Sequence, residues 1–170
     1  MCLLPSAHQV ITSSSMPGFN ELLSEFEDLA KSEPAVEVLM TRISHRLHEA
    51  MARYNWVGFY LMENSVPPAL VVGPYAGSFV PCVRITLDKG LCGAAATTKK
   101  TVVVNNVPAD PRYLGSEMVK SNLVSPILIK DRVVAEIDVE SYFANTFQKA
   151  DQDFLEACGA LVGRHMEKKS

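Results

Sequence analysis

Cys82–Thr98 reads CVRITLDKGLCGAAATT, and the rest of the chain is organised around it. The lead-in VPCVRI alternates apolar and polar residues and predicts a strand end. From Gly90 the pattern changes to small residues, and KGLCGAAATT predicts a helix that starts around Cys92. Two cysteines therefore stand ten positions apart on two different elements. A thiol in the first turn of a helix feels unpaired amide groups and the positive end of the dipole, which favour the thiolate. A cysteine among Leu, Gly and Ala is more often a small buried hydrophobe. Both readings stand for Cys92 at this point.

Working back from this stretch, two helices come first. Phe19, Leu22, Leu23, Phe26 and Leu29 recur at helical spacing with acidic residues between them. Pro34 suits the first turn of a second helix, whose stripe is Val36, Leu39, Ile43, Leu47 and Ala50. His45 and His48 share that helix, and they read as solvated or packed side chains, since no third ligand accompanies them. Then the period shortens. Trp56–Met62, Ala69–Val72 and Phe79–Ile85 predict three strands, the second ending at Gly73 and Pro74.

Forward of Cys92, Thr101–Val104 predicts a fourth strand. Asn105–Ser121 is a long connection of the kind that is functional or mobile in compact domains. Leu123–Ile129 and Val133–Ser141 predict the fifth and sixth strands. A last helix is expected over Gln148–Lys168, with Cys158 in its apolar stripe and Lys168 and Lys169 at its end. In AEIDVES, Ile137 and Val139 point to one face of the sixth strand and Glu136, Asp138 and Glu140 to the other. Three carboxylates in a row repel one another unless water or a cation answers them. They face solvent, or one or two of them line a pocket and hold a ligand's ammonium or hydroxyl groups.

Composition bounds the function. The 170 residues suit one α+β domain, and 48% hydrophobic residues suffice for its core. A net charge of −3 recommends neither a nucleic acid nor an anionic membrane. Four cysteines without a CxxC argue against a zinc cluster, and no metal or cofactor is called for. No segment is long and apolar enough to span a bilayer. Residues 1–15 lack a signal-peptide pattern and are expected to be a flexible lead-in to a domain over 16–170, in the cytoplasm.

NWVGFYL (55–61), GPYAG (73–77), CVRITLDKGLCGAAA (82–96) and IDVES (137–141) occur in this order. Together they resemble the small stand-alone GAF-domain proteins of the free methionine-(R)-sulfoxide reductase type. The resemblance implies a central antiparallel sheet of about six strands, helices on one face and a loop-covered ligand pocket on the other. It also implies a cytoplasmic homodimer that reduces free methionine sulfoxide. Under it, Cys82 and Cys92 match two of three redox cysteines. Trp56 and Tyr60 match the aromatic wall of the pocket. Asp138 and Glu140 stand where two aspartates bind the substrate's amino group.

The departures fall at the chemistry. The family's attacking cysteine lies in the loop before the fifth strand, where this chain has Ser116-Glu117 and no cysteine, and a family glutamate becomes Asn122. Sulfoxide reduction needs a thiolate to attack sulfur and a second thiol to condense with the resulting sulfenic acid. A serine hydroxyl does neither. Three functions are therefore weighed: a binding or signalling module for a small polar or amino-acid-like ligand, a thioredoxin-recycled reductase running on Cys82 and Cys92, and a thiol redox sensor. A nucleotide ligand ranks below these, since no Gly-rich phosphate cradle is present.

Overall fold

The computed structural model describes residues 16–33 and 35–168. The lead-in at 1–15, Pro34 and Lys169 lie outside the described residues. The elements run α1 (Phe19–Ser32), α2 (Val36–Ala50), β1 (Trp56–Glu63), β2 (Ala69–Gly77), β3 (Arg84–Thr86), α3 (Gly90–Thr98), β4 (Val102–Val104), β5 (Ser121–Ile129), β6 (Arg132–Ser141) and α4 (Lys149–Glu167). A short 3-10 turn at Val107–Ala109 interrupts the long connection.

The strands form one antiparallel sheet in the order β3-β2-β1-β6-β5-β4. Two hairpins, β1–β2 and β5–β6, meet along β1 and β6. This puts the acidic β6 at the centre and the aromatic β1 beside it.

One face of the sheet carries Val57, Phe59, Leu123, Ile127, Ile137 and Val139. These pack on Leu22 and Phe26 of α1, Leu39, Ile43 and Leu47 of α2, and Phe154, Leu155 and Cys158 of α4. The helical stripes thus bury the faces their periodicity marks. Asp151 ties the α2–β1 connection to the start of α4 here. Its carboxylate accepts the Tyr54 hydroxyl at 2.7 Å, the Arg53 guanidinium and the Gln148 amide at 2.9 Å, which caps α4.

The opposite face carries a second apolar cluster: Trp56, Tyr60, Leu70 and Val124 from the sheet, with Leu91, Cys92, Ala95 and Ala96 from α3. Three helices therefore cover one face, as the resemblance implies, while α3 lies on the other. Its small residues explain this placement, because only a slim helix packs so close to the sheet. A Cβ at Gly93 would lie 2.7 Å from the Leu87 carbonyl oxygen.

Two strand boundaries differ from the sequence reading. β2 continues through Gly73 and Pro74 to Gly77, because those two residues fall at the irregular step between Gly58 and Tyr60, where no ladder bond from Pro74 is needed. The predicted third strand shrinks from Phe79–Ile85 to Arg84–Thr86. β3 is an edge strand paired only with Ala69–Val71, and Pro81 has no N–H to extend the ladder. Residues 78–83 form a loop instead. No helix among the described residues is long and apolar enough to cross a membrane.

Candidate functional site

The alternation of strands builds the site. Across the β1–β6 ladder Trp56 faces Glu140, Gly58 faces Asp138 and Tyr60 faces Glu136. Across β5–β6, Asn122 faces Glu140 and Val124 faces Asp138. Residues directly opposite one another share a face, so aromatic, amide and carboxyl groups converge on the α3 side. Gly58 permits this, since a Cβ there would overlap the Trp56 ring. The ring stacks on Tyr75 and Phe79 at centroid distances of 5.5 and 5.8 Å.

A cavity of about 670 Å³ opens there. Its floor is Trp56, Tyr60, Asn122, Asp138 and Glu140, and its walls are the 78–83 loop, the first turn of α3 and the Tyr113–Ser116 part of the long connection. The structure thus brings together all eight residues singled out in the sequence: Trp56, Tyr60, Cys82, Cys92, Ser116, Asn122, Asp138 and Glu140. Cys82 is exposed in the loop and Cys92 is buried, both as free thiols. The Ser116 hydroxyl accepts the Met118 amide at 3.3 Å.

The carboxyls do not face solvent. Glu136, Asp138 and Glu140 are 0, 4 and 7% exposed, which settles the alternative left open by the strand pattern. Asp138 accepts the Asn122 amide at 2.6 Å on one oxygen and the Cys92 thiol at 3.6 Å on the other. Burial lifts its pKa to about 6 even so. Glu140 takes the Tyr113 hydroxyl at 3.3 Å on one oxygen, while its other oxygen has no partner. Burial and the neighbouring Asp138 push it to about 9. The Trp56 indole N–H, also buried, has no acceptor.

Of the two readings left open for Cys92, its burial matches the small buried hydrophobe. It occupies the first turn of α3, whose N-cap Lys89 supplies no side-chain cap. Yet burial, then the charges of Asp138, Glu136 and Glu140, drive its thiol well above the ordinary range. Desolvation and three carboxyls outweigh one helix end. Among the described residues, no group of three His, Cys, Asp or Glu side chains is placed to hold a metal ion. His48 instead engages the Tyr54 carbonyl at 2.9 Å.

A model of the GAF domain matches residues 36–166, from the first residue of α2 into the last turn of α4. The chain belongs to the GAF domain family. It is similar to the free methionine-R-sulfoxide reductase of Saccharomyces cerevisiae, 33% identical over 72% of this chain and 68% of that protein. It is also similar to GAF domain-containing protein A of Dictyostelium discoideum, 28% identical over 86% and 91% of the two chains. Among solved structures, the free methionine-R-sulfoxide reductase of Neisseria meningitidis in complex with its substrate superposes with a TM-score of 0.82, at 27% identity over 88% of each chain. Within this GAF domain, sequence reasoning missed Tyr113 and Phe79. Tyr113 sits in an irregular loop, where no periodicity signals its direction, and Phe79 was assigned to a strand that does not extend so far.

Proposed function

We propose that this GAF domain is a binding or signalling module for a small amino-acid-like molecule and does not turn it over. The observation that carries the proposal is the pairing of chemistries in one cavity. Asp138 and Glu140 offer a carboxyl end to an ammonium group. The uncapped amides of Gly90, Leu91 and Cys92 suit a carboxylate. Trp56, Tyr60 and Phe79 suit an apolar side chain between the two. The unpartnered Glu140 oxygen and Trp56 N–H are polar atoms that a ligand would satisfy. Ser116 stands at the cavity wall where the family resemblance expects the attacking thiol, and the Cys92 thiol is held protonated. Both support binding without chemistry.

A second reading is a reductase that uses Cys92 to attack sulfur and Cys82 to resolve, with thioredoxin as reductant. The presence of both thiols on one cavity supports it. The resemblance to reductases extends the proposal to a homodimer in the cytoplasm. A thiol redox sensor needs only the same two cysteines and no ligand.

Calorimetric titration of the reduced protein tests the binding reading. L-methionine and L-methionine sulfoxide are expected to bind, and N-acetyl-L-methionine, which lacks the ammonium, is expected to bind at least tenfold more weakly. Equal affinity for the acetylated compound would remove the ammonium from the account.

A further inference from the structure

In the binding reading Glu140 answers an ammonium group, so the direction of its carboxyl matters. The ladder fixes where the side chain starts, between Trp56 of β1 and Asn122 of β5. It does not fix where the carboxyl ends, because the last torsion of a glutamate is broad and close to two-fold. A contact with the long connection does. The Tyr113 hydroxyl donates to one carboxyl oxygen at 3.3 Å, and the other oxygen is buried without a partner. Both residues line the cavity.

Tyr113 reaches that oxygen because of its neighbours in sequence. Asp110 accepts the Arg112 amide at 3.0 Å and clasps the Arg112 guanidinium, and the Tyr113 N–H donates to the Asp110 carbonyl at 3.2 Å. That turn sets the backbone ahead of the ring. Gly115 then gives the ring its room. A Cβ at Gly115 would lie 2.7 Å from the ring carbon Cζ and closer still to the hydroxyl oxygen. The ring therefore lies over Gly115 on its way to β6, and a side chain there would push its tip aside.

We propose that Tyr113 is the positioning residue of the ammonium site: its hydroxyl holds one oxygen of Glu140 and leaves the other to the ligand, and Gly115 lets the ring reach that far. This rests on the reading that the ligand brings an ammonium group to Asp138 and Glu140. A hydrogen bond to a carboxylate favours its ionised form. Tyr113 therefore also eases the loss of the Glu140 proton, which leaves to solvent as the ammonium arrives. Burial and Asp138, on the same strand, act against that loss. Glu136 on β6, Tyr60 on β1 and Cys92 on α3 are all raised by burial and stay neutral. On the cavity wall Arg84 is paired with Glu63, and Lys89 and Cys82 complete the titratable groups of the lining.

The test follows the Cδ resonance of Glu140 against pH in ligand-free protein labelled with ¹³C at glutamate, the resonance being identified by its loss in Glu140→Gln. Tyr113→Phe removes the hydroxyl and keeps the ring. Gly115→Ala keeps the hydroxyl and displaces it. Both are expected to raise the Glu140 midpoint by about one pH unit, and to weaken L-methionine binding about tenfold near neutrality by calorimetry. An unchanged midpoint in Tyr113→Phe would overturn the proposal and leave Tyr113 as a packing residue of the wall. So would a raised midpoint with the affinity for L-methionine unchanged. If the wild type binds no L-methionine, the amino-acid reading of the cavity fails by itself, and the midpoint still decides whether Tyr113 holds Glu140. Should Tyr113→Phe not fold, Gly115→Ala carries the test with the same expected results.

Discussion

Asp138 takes the Asn122 amide on one oxygen and the Cys92 thiol on the other. An ammonium group arriving there gains a charge-assisted bond worth about 1.5–3 kcal/mol. Asp138→Asn is therefore expected to weaken L-methionine binding by about ten- to a hundredfold by calorimetry. The same change relieves repulsion among buried carboxyls, so the melting temperature is expected to hold or rise. A large fall would make Asp138 structural. Binding also carries a pH signature. Glu140, at about 9, is protonated near neutrality and must ionise to pair with an ammonium. Affinity is expected to rise from about pH 6, where Asp138 ionises, toward pH 9, with proton release that calorimetry in buffers of different ionisation enthalpy detects. The acidic trio was legible in AEIDVES because alternation on a strand is a strong rule. The state of Cys92 was not, because a helix start is a local feature while the carboxyls that oppose it come from a strand some forty residues away.

At the scale of elements, β6 and α3 hold the site and set its cost. The folded pKa values of Asp138 and Glu140 lie above the ordinary carboxyl values of 3.8 and 4.5. Their contribution to stability is therefore fully present below about pH 4 and is lost as pH rises through about 6 for Asp138 and about 9 for Glu140. Between those limits each such group lowers stability by about 1.4 kcal/mol per pH unit at most. Urea unfolding at pH 6 and 8.5 is expected to show the wild type losing stability with pH and Glu140→Gln losing less. The contact of α3 with the Thr86–Leu87 turn is the other support. Gly93→Ala brings a Cβ to 2.7 Å from the Leu87 carbonyl oxygen, a backbone atom with little room to move. It is expected to cost about 1–3 kcal/mol, read as a lower melting temperature, and to displace Cys92. An unchanged melt would mean that the turn yields. The helices were readable from their stripes. The true extent of β2 was hidden by Gly73 and Pro74, which read as a stop in sequence but sit at an irregularity in the ladder.

At the scale of the molecule, two hairpins joined along β1 and β6 divide the labour. Three helices stabilise one face, and the other is left for α3, two loops and a cavity. The order of strands was not in the periodicity, since alternation marks a strand without naming its neighbour. The resemblance of four motifs implied an antiparallel sheet, and the structure gives its order. The same resemblance marks what this chain lacks, a thiol at Ser116. Ser116→Cys is expected to add thioredoxin-coupled reduction of free methionine-(R)-sulfoxide to a protein that otherwise binds, and a folded variant without turnover would move the defect to Asn122.

The most direct measurement is the same coupled assay on the reduced wild-type protein, with free methionine-(R)-sulfoxide present at a concentration that calorimetry shows to be saturating. The account predicts a filled cavity and no turnover above the reductant alone. Turnover that disappears in Cys92→Ser would contradict it and establish an enzyme whose nucleophile has moved from the loop to the first turn of α3.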